Sequence, residues 1–137
     1  MSNEQIARDF FDACETGKGW EVCQQYCTPD ASFAAQADAL AEVTQLSDYT
    51  EWMKANGGPL PDAGYEMLSF GIDEDRGSVC AAATFNATHT GEGGPVPPTG
   101  KSTSSHYCYV IEFDGGKVSA MTKIWNDAYA FRELGWG

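Results

Sequence analysis

Positive charge is scarce in this chain: eight Lys and Arg stand against 20 Asp and Glu, a formal net charge of −12 over 137 residues. Residues 1–92 hold 16 acidic and 4 basic side chains and residues 93–137 hold 4 of each, so the acidity belongs to the N-terminal two-thirds. Such a surface repels a phosphate backbone, and no basic stripe interleaved with aromatics occurs, so nucleic acid is not an expected partner. A solvated acidic exterior is the plain reading of the charge. Long apolar runs are missing too. Nowhere do 18 apolar residues pass without a charge, and Met1 to Asp12 carries no basic segment followed by an apolar one. Neither a membrane span nor an export signal is expected, and the cytoplasm is the expected location. Histidine is limited to His89 and His106, and the five cysteines include no CxxC pair. No metal site and no cofactor are therefore expected, and the thiols are expected to be reduced. Cys23 and Cys27, four apart on a predicted helix, can touch, although cysteine is commonly just a small buried hydrophobe.

What is present suits one domain spanning residues 1–137. Hydrophobic residues make up 42% and aromatics 12%, spread along the chain, which is enough apolar surface for a core. Ser2 followed by Gln5 has the spacing of a capping box, and Ile6, Phe10, Phe11 and Cys14 then mark one face of a helix running to about Glu15. Gly17 and Gly19 break it. Trp20, Cys23, Tyr26 and Cys27 repeat at helical spacing until Thr28-Pro29, and Asp30 to Phe33 reads as a brief strand. Ala34 to Val43 has no clear period. Ser47 or Asp48 can cap a third helix whose apolar face holds Tyr49, Trp52 and Met53 and which ends at Asn56-Gly57-Gly58.

From Gly64 the pattern changes to strand-like runs: Tyr65 to Ile72, Ser78 to Thr90, Ser102 to Phe113 and Val118 to Trp125. Helices first and strands later predict an α+β fold in which the two layers bury one face on each other. Gly115-Gly116 marks a two-residue hairpin, because glycines accept the positive φ angles of that turn. If Asp114 faces Lys117, a regular ladder places Val110 opposite Met121, Cys108 opposite Lys123 and His106 opposite Trp125, on one side of the sheet. Tyr107, Tyr109 and Ile111 then fall on the other side, where an exposed patch would suit a subunit interface. Asn126 or Asp127 can cap a last helix through Ala128 to Leu134, closed by Gly135.

The stretches Tyr26-Cys27-Thr28-Pro29-Asp30-Ala31-Ser32-Phe33, Thr88-His89-Thr90-Gly91, Pro97-Pro98-Thr99-Gly100-Lys101, Gly116-Lys117-Val118 and Glu133-Leu134-Gly135, in this order, give the chain a resemblance to the SnoaL-like polyketide cyclases of the nuclear transport factor 2-like superfamily. It covers nearly the whole chain. The resemblance implies a cone in which N-terminal helices pack on a strongly curved, mostly antiparallel sheet around an apolar cavity, and a homodimer. It also implies an intramolecular aldol ring closure run by a His-x-Asp on the last strand. That motif falls here on Met121-Thr122-Lys123, and a methionine cannot act as a proton-transfer group.

Lys123 is the candidate catalytic residue, set among Val118, Met121, Ile124 and Trp125. A desolvated lysine loses its proton readily and could act as base, carbonyl-binding cation or Schiff-base nucleophile; a lysine that is paired or reaches solvent has none of these roles. His106, on the same predicted face, could share its site or be a hydrogen-bonded histidine without chemistry. Phe33, Trp52, Met53, Phe85, Met121 and Trp125 are candidate cavity-lining residues for a small apolar or aromatic molecule. His89 falls by resemblance at the cavity rim, with a surface role the alternative. The turn from Gly91 to Gly100 either folds over the mouth or links two strands. Three functions remain open: an enzyme related to cyclases, isomerases or hydrolases, a binding protein without turnover, and a dimeric interaction module.

Overall fold

Ser2 opens the first helix, its hydroxyl accepting from the Gln5 amide at 3.2 Å. The Gln5 side chain turns to Asp9 at 2.9 Å, so only half of the expected capping box forms. The computed structural model describes residues 2–137. Helix α1 spans Asn3–Glu15 and buries Ile6, Phe10, Phe11, Cys14 and, at its last position, Glu15. The second helical pattern is realised as α2, Trp20–Cys23, followed by a 3-10 turn, Gln24–Tyr26. Helix α3 spans Leu46–Ala55 and α4 spans Asp127–Leu134. Ser47 and Asp48 lie inside the first turn of α3, and Gln45, the residue before that turn, makes no side-chain cap.

Five strands form one sheet in the order β1-β5-β4-β3-β2: β1 Cys27–Gln36, β2 Gly64–Asp73, β3 Ser78–Thr88, β4 Ser102–Asp114 and β5 Lys117–Trp125. Only β1 runs parallel to its neighbour, β5; the other pairs are antiparallel. The fold is α+β, four helices on a curved mixed sheet. The aperiodic stretch after Phe33 becomes the last three residues of β1 and a 3-10 turn, Asp38–Leu40. Its burial alternates too weakly to read as a strand from sequence, and the pairing with β5 supplies the order instead. Among the described residues, no helix is long and apolar enough to cross a membrane.

Both residues proposed to start the last helix work, on different elements. Asn126 accepts from the Tyr129 amide at 3.0 Å, while the buried Asp127 carboxylate turns to the amides of Asp38 and Ala39 at 3.3 and 2.7 Å. The 3-10 turn after β1 is thereby capped by the root of α4.

The hairpin register departs from the regular ladder, and the reason is one residue. Gly115 and Gly116 have φ of 59° and 79°, as a two-residue turn requires, and Asp114 does face Lys117. The pairing then shifts between Glu112 and Phe113, so Ser119 on β5 is a bulge, its hydroxyl donating to the Glu112 carbonyl at 3.3 Å. Beyond it Ile111 pairs with Met121, Tyr109 with Lys123 and Tyr107 with Trp125. A one-residue shift exchanges the faces of β4 relative to the sequence expectation. Tyr107, Tyr109 and Ile111 are buried against the helices and form no exposed interface. His106 lies exposed on the opposite face, 3.0 Å from the Thr84 hydroxyl, and does not share a site with Lys123.

Candidate functional site

Lys123 sits mid-strand in β5, points under the helices and is only 4% exposed. Its Nζ donates to the Tyr49 hydroxyl on α3 at 3.0 Å. The Tyr49 and Tyr109 hydroxyls are 2.5 Å apart, and Tyr107 and Tyr109 each donate to a different oxygen of Glu15 at the end of α1. Because the Tyr109 proton is committed to Glu15, Tyr49 donates within the tyrosine pair, and its hydroxyl also reaches toward Glu15 Oε2 at 3.5 Å. The result is one directed chain from the Lys123 amine through Tyr49 and Tyr109 to the Glu15 carboxylate. Among the described residues, no carboxylate comes within ion-pairing distance of Lys123, and both ion pairs found, Arg8–Glu4 and Arg76–Asp73, involve exposed side chains. The buried charges of Lys123 and Glu15 therefore communicate through phenols.

Aromatic faces fill the rest of the lysine's surroundings. Nζ lies 4.5 Å from the Trp125 ring centre and 5.1 Å from those of Tyr49 and Tyr107, within the range at which a ring attracts a cation. Burial nevertheless lowers the Lys123 pKa below its ordinary value, because the loss of hydration outweighs the opposing pull of Glu15. Tyr49, Tyr107 and Tyr109 are pushed upward, first by burial and then by the Glu15 charge. The phenols stay protonated and act as donors, while the amine is the group eased toward losing its proton.

Lys123 and Glu15 also line a cavity of about 120 Å³. Trp52 and Met53 of α3, Phe85 of β3 and Trp125 of β5 line it, as do Leu60, Phe131, Leu134 and Trp136. Four sequence-proposed lining residues, Trp52, Met53, Phe85 and Trp125, thus meet Lys123 around one space. Phe33 instead stacks on Tyr49 at 4.4 Å within the core, and Met121 is buried in the core away from the cavity. His89 does not reach the lining; it is fully buried behind Trp136, which donates its indole N–H to His89 Nδ1 at 2.8 Å. Among the described residues, no group of His, Cys, Asp and Glu has a metal-binding arrangement.

The residues missed from sequence are Glu15, Tyr49 as a polar group, and the tyrosine pair of β4. Glu15 had a signal: it follows Phe11 by four positions on the apolar face, where a carboxylate calls for a partner. The tyrosines had none until the Ser119 bulge fixed their face.

Comparisons with known proteins agree with this architecture. The model of the SnoaL-like polyketide cyclase family matches residues 5–134. Among solved structures, AclR from Streptomyces galilaeus, a candidate hydroxylase, is 22% identical over 97% of this chain and 80% of that one, with a TM-score of 0.78. IdmH from Streptomyces antibioticus, a candidate polyketide cyclase, is 18% identical over 98% and 99%, with a TM-score of 0.76. A Catenulispora acidiphila protein with a ketosteroid isomerase-like fold is 10% identical over 99% and 96%, with a TM-score of 0.72. Identities this low carry the fold alone. No match is found among curated protein sequences.

Proposed function

Because the chain belongs to the SnoaL-like polyketide cyclase family, we propose that it takes up an apolar or aromatic carbonyl compound and engages the carbonyl carbon through Lys123. The observation that supports this is the directed chain from Lys123 to Glu15, ending in a cavity that both residues line. Passing one proton along it leaves a neutral amine and a neutral carboxylic acid, so the nucleophile forms without stranding a charge in the core. The amine nitrogen adds to the carbonyl carbon, the carbonyl oxygen leaves as water and a C=N bond remains. A protonated imine acidifies the adjacent carbon, which is what an aldol closure or an isomerisation needs.

The test is incubation with an aromatic aldehyde and cyanoborohydride, whose hydride reduces the imine to a stable secondary amine, followed by peptide mass mapping. The adduct is expected on Lys123, with no adduct on the Lys123→Met chain at that peptide. Labelling spread over the exposed lysines, with none at Lys123, would defeat the proposal.

A second reading, ligand binding without turnover, is favoured by Met121-Thr122-Lys123 standing where the family keeps His-x-Asp. It differs in one respect: bound carbonyl compounds are recovered unchanged after hydrolysis of the imine. We further propose a homodimer formed through the face of the sheet that carries the exposed Ile124. A single domain and a cytoplasmic location complete the proposal.

A further inference from the structure

The structure assigns the size limit of the cavity to Trp136, with His89 as the residue that positions it, and we propose that the ligand is a carbonyl compound built on one ring rather than on fused rings. The ligand class rests on the reading of Lys123 given above; the size limit does not. An apolar protein cavity of about 150 Å³ admits a benzene molecule. A partly open space of about 120 Å³ is on the scale of one aromatic ring, so a second fused ring would have to lie outside it.

Part of the cavity wall is made by the end of α4 and the residues that follow it, Phe131, Leu134 and Trp136. Gly135 ends α4 with φ 78°, and the Trp136 amide then donates to the Phe131 carbonyl at 2.8 Å, turning the indole back over the cavity. The indole packs on Phe131 with ring centres 5.3 Å apart and meets the His89 ring edge-on at 5.2 Å. Its N–H donates to His89 Nδ1 at 2.8 Å.

His89 is built to stay in place. Its amide donates to the Lys101 carbonyl at 2.9 Å and its carbonyl accepts from the Gly100 amide at 2.9 Å, which clamps the backbone at both ends of the Pro-rich loop. Nδ1 also receives the Thr99 amide at 3.3 Å, so it is the acceptor nitrogen and the ring proton resides on Nε2. Nε2 is buried, finds no hydrogen-bond partner among the described residues, and faces Gly94, where a Cβ would come within 2.9 Å. Leaving a buried donor unpaired is unfavourable, and an apolar residue would fill the same space without that penalty. What only the histidine supplies is a fixed acceptor for the Trp136 indole. That makes Trp136 a size-determining residue whose position is set from outside the cavity.

The experiment compares equilibrium binding of acetophenone and 2-acetonaphthone to the full chain, followed by ligand-observed NMR without any reductant. The intact protein is expected to prefer the single-ring ketone at least tenfold. Trp136→Ala should abolish or invert that preference by improving 2-acetonaphthone, and His89→Leu should weaken it. His89→Asn, which returns an acceptor near the Nδ1 position, should restore it, an outcome that a purely packing role for His89 would not produce. Equal affinity for both ketones in the intact protein would overturn the size limit. So would unchanged preferences in both Trp136→Ala and His89→Leu. Should Trp136→Ala lose its fold by circular dichroism, the His89→Leu and His89→Asn pair decides. Size selectivity without any borohydride adduct on Lys123 would sink the lysine reading and leave the gate standing. An adduct formed equally well from benzaldehyde and 2-naphthaldehyde would do the reverse.

Discussion

The same strands present two chemically opposite faces. Toward the helices, β4 and β5 carry Tyr107, Tyr109, Lys123 and Trp125, all buried, with the polar atoms consumed in a chain that ends at Glu15. Away from the helices, β3, β4 and β5 carry Cys80, His106 and Ile124, all exposed, and the Cys80 and Cys108 sulfurs lie 3.2 Å apart. Proximity alone does not make a site. The Cys108 thiol is pushed up to about 11, first by its partial burial and then by Cys80, so Cys108 stays protonated near neutrality and has little nucleophilic character. On the inner face, removal of water converts ordinary residues into a coupled set; on the outer face, solvent keeps each one separate.

Merging the faces is the most drastic way to break this contrast. Inserting one alanine after Ala120, with the Ser119 bulge kept, carries the ladder on one residue out of step and would set Cys108 and His106 opposite Lys123 and Trp125. Loss of a cooperative urea transition is expected, a destabilisation above ~4 kcal/mol; an insertion variant that unfolds like the parent would show that the burial of Tyr107 and Tyr109 does not depend on this register.

Removing one inner charge should come next. Glu15→Gln leaves the lysine without its counter-charge, and a loss of about 3 kcal/mol in urea denaturation is expected. Adding Lys123→Met to that variant should recover roughly 1 kcal/mol or more, since two neutral groups then face each other. Strictly additive single and double variants would mean that the phenol chain carries no coupling.

pH sharpens the comparison further. The folded Lys123 pKa lies below its unfolded value, so between the two the unfolded chain binds more protons and this residue's contribution to stability rises with pH. The stability of the parent relative to Lys123→Met should accordingly climb over that window, up to about pH 10, where unfolded tyrosines begin to ionise. Above it the difference levels off while the absolute stability of both chains falls, because Tyr49, Tyr107 and Tyr109 have raised folded values and resist ionisation until the chain unfolds. Ultraviolet titration of the phenols combined with denaturation at stepped pH reads both limbs; a flat difference would place the lysine in contact with solvent.

The outer face should give the smallest effects. His106→Gln and Cys80→Ser are expected to move stability by no more than ~0.5 kcal/mol. For the proposed homodimer, Ile124→Lys should leave the fold intact while shifting sedimentation to monomer; a parent chain that already sediments as a monomer, or a variant that stays dimeric, would overturn that interface.

Much of the fold was legible because its cues are local. The four long strands, the Gly115-Gly116 turn, α1 and the Asn126 start of α4 each follow from periodicity or capping chemistry. Where the sequence misled, a long-range pairing decided. β1 acquires its full length from β5, and Ser119, an unremarkable serine in the pattern, sets which face of β4 is buried. Lys123 and the cavity walls Trp52, Met53, Phe85 and Trp125 could be nominated from their apolar settings. Glu15 and the tyrosines could not be joined to them, since the chain bringing Glu15, Tyr49 and Tyr109 together closes over separations that no periodicity reports.

The double capping at Asn126 and Asp127 has a consequence for how this protein could diversify. The root of α4 is tied to the turn after β1 by the Asp127 side chain, whereas its tip, beside the cavity, is held by the contacts of Thr99 with Leu134 and of His89 with Trp136. Chemistry and capacity are thus encoded on separable pieces, one on β5 and one in the segment that follows α4. A lineage could rewrite that tail to welcome a new shape of guest while the reactive interior is inherited untouched.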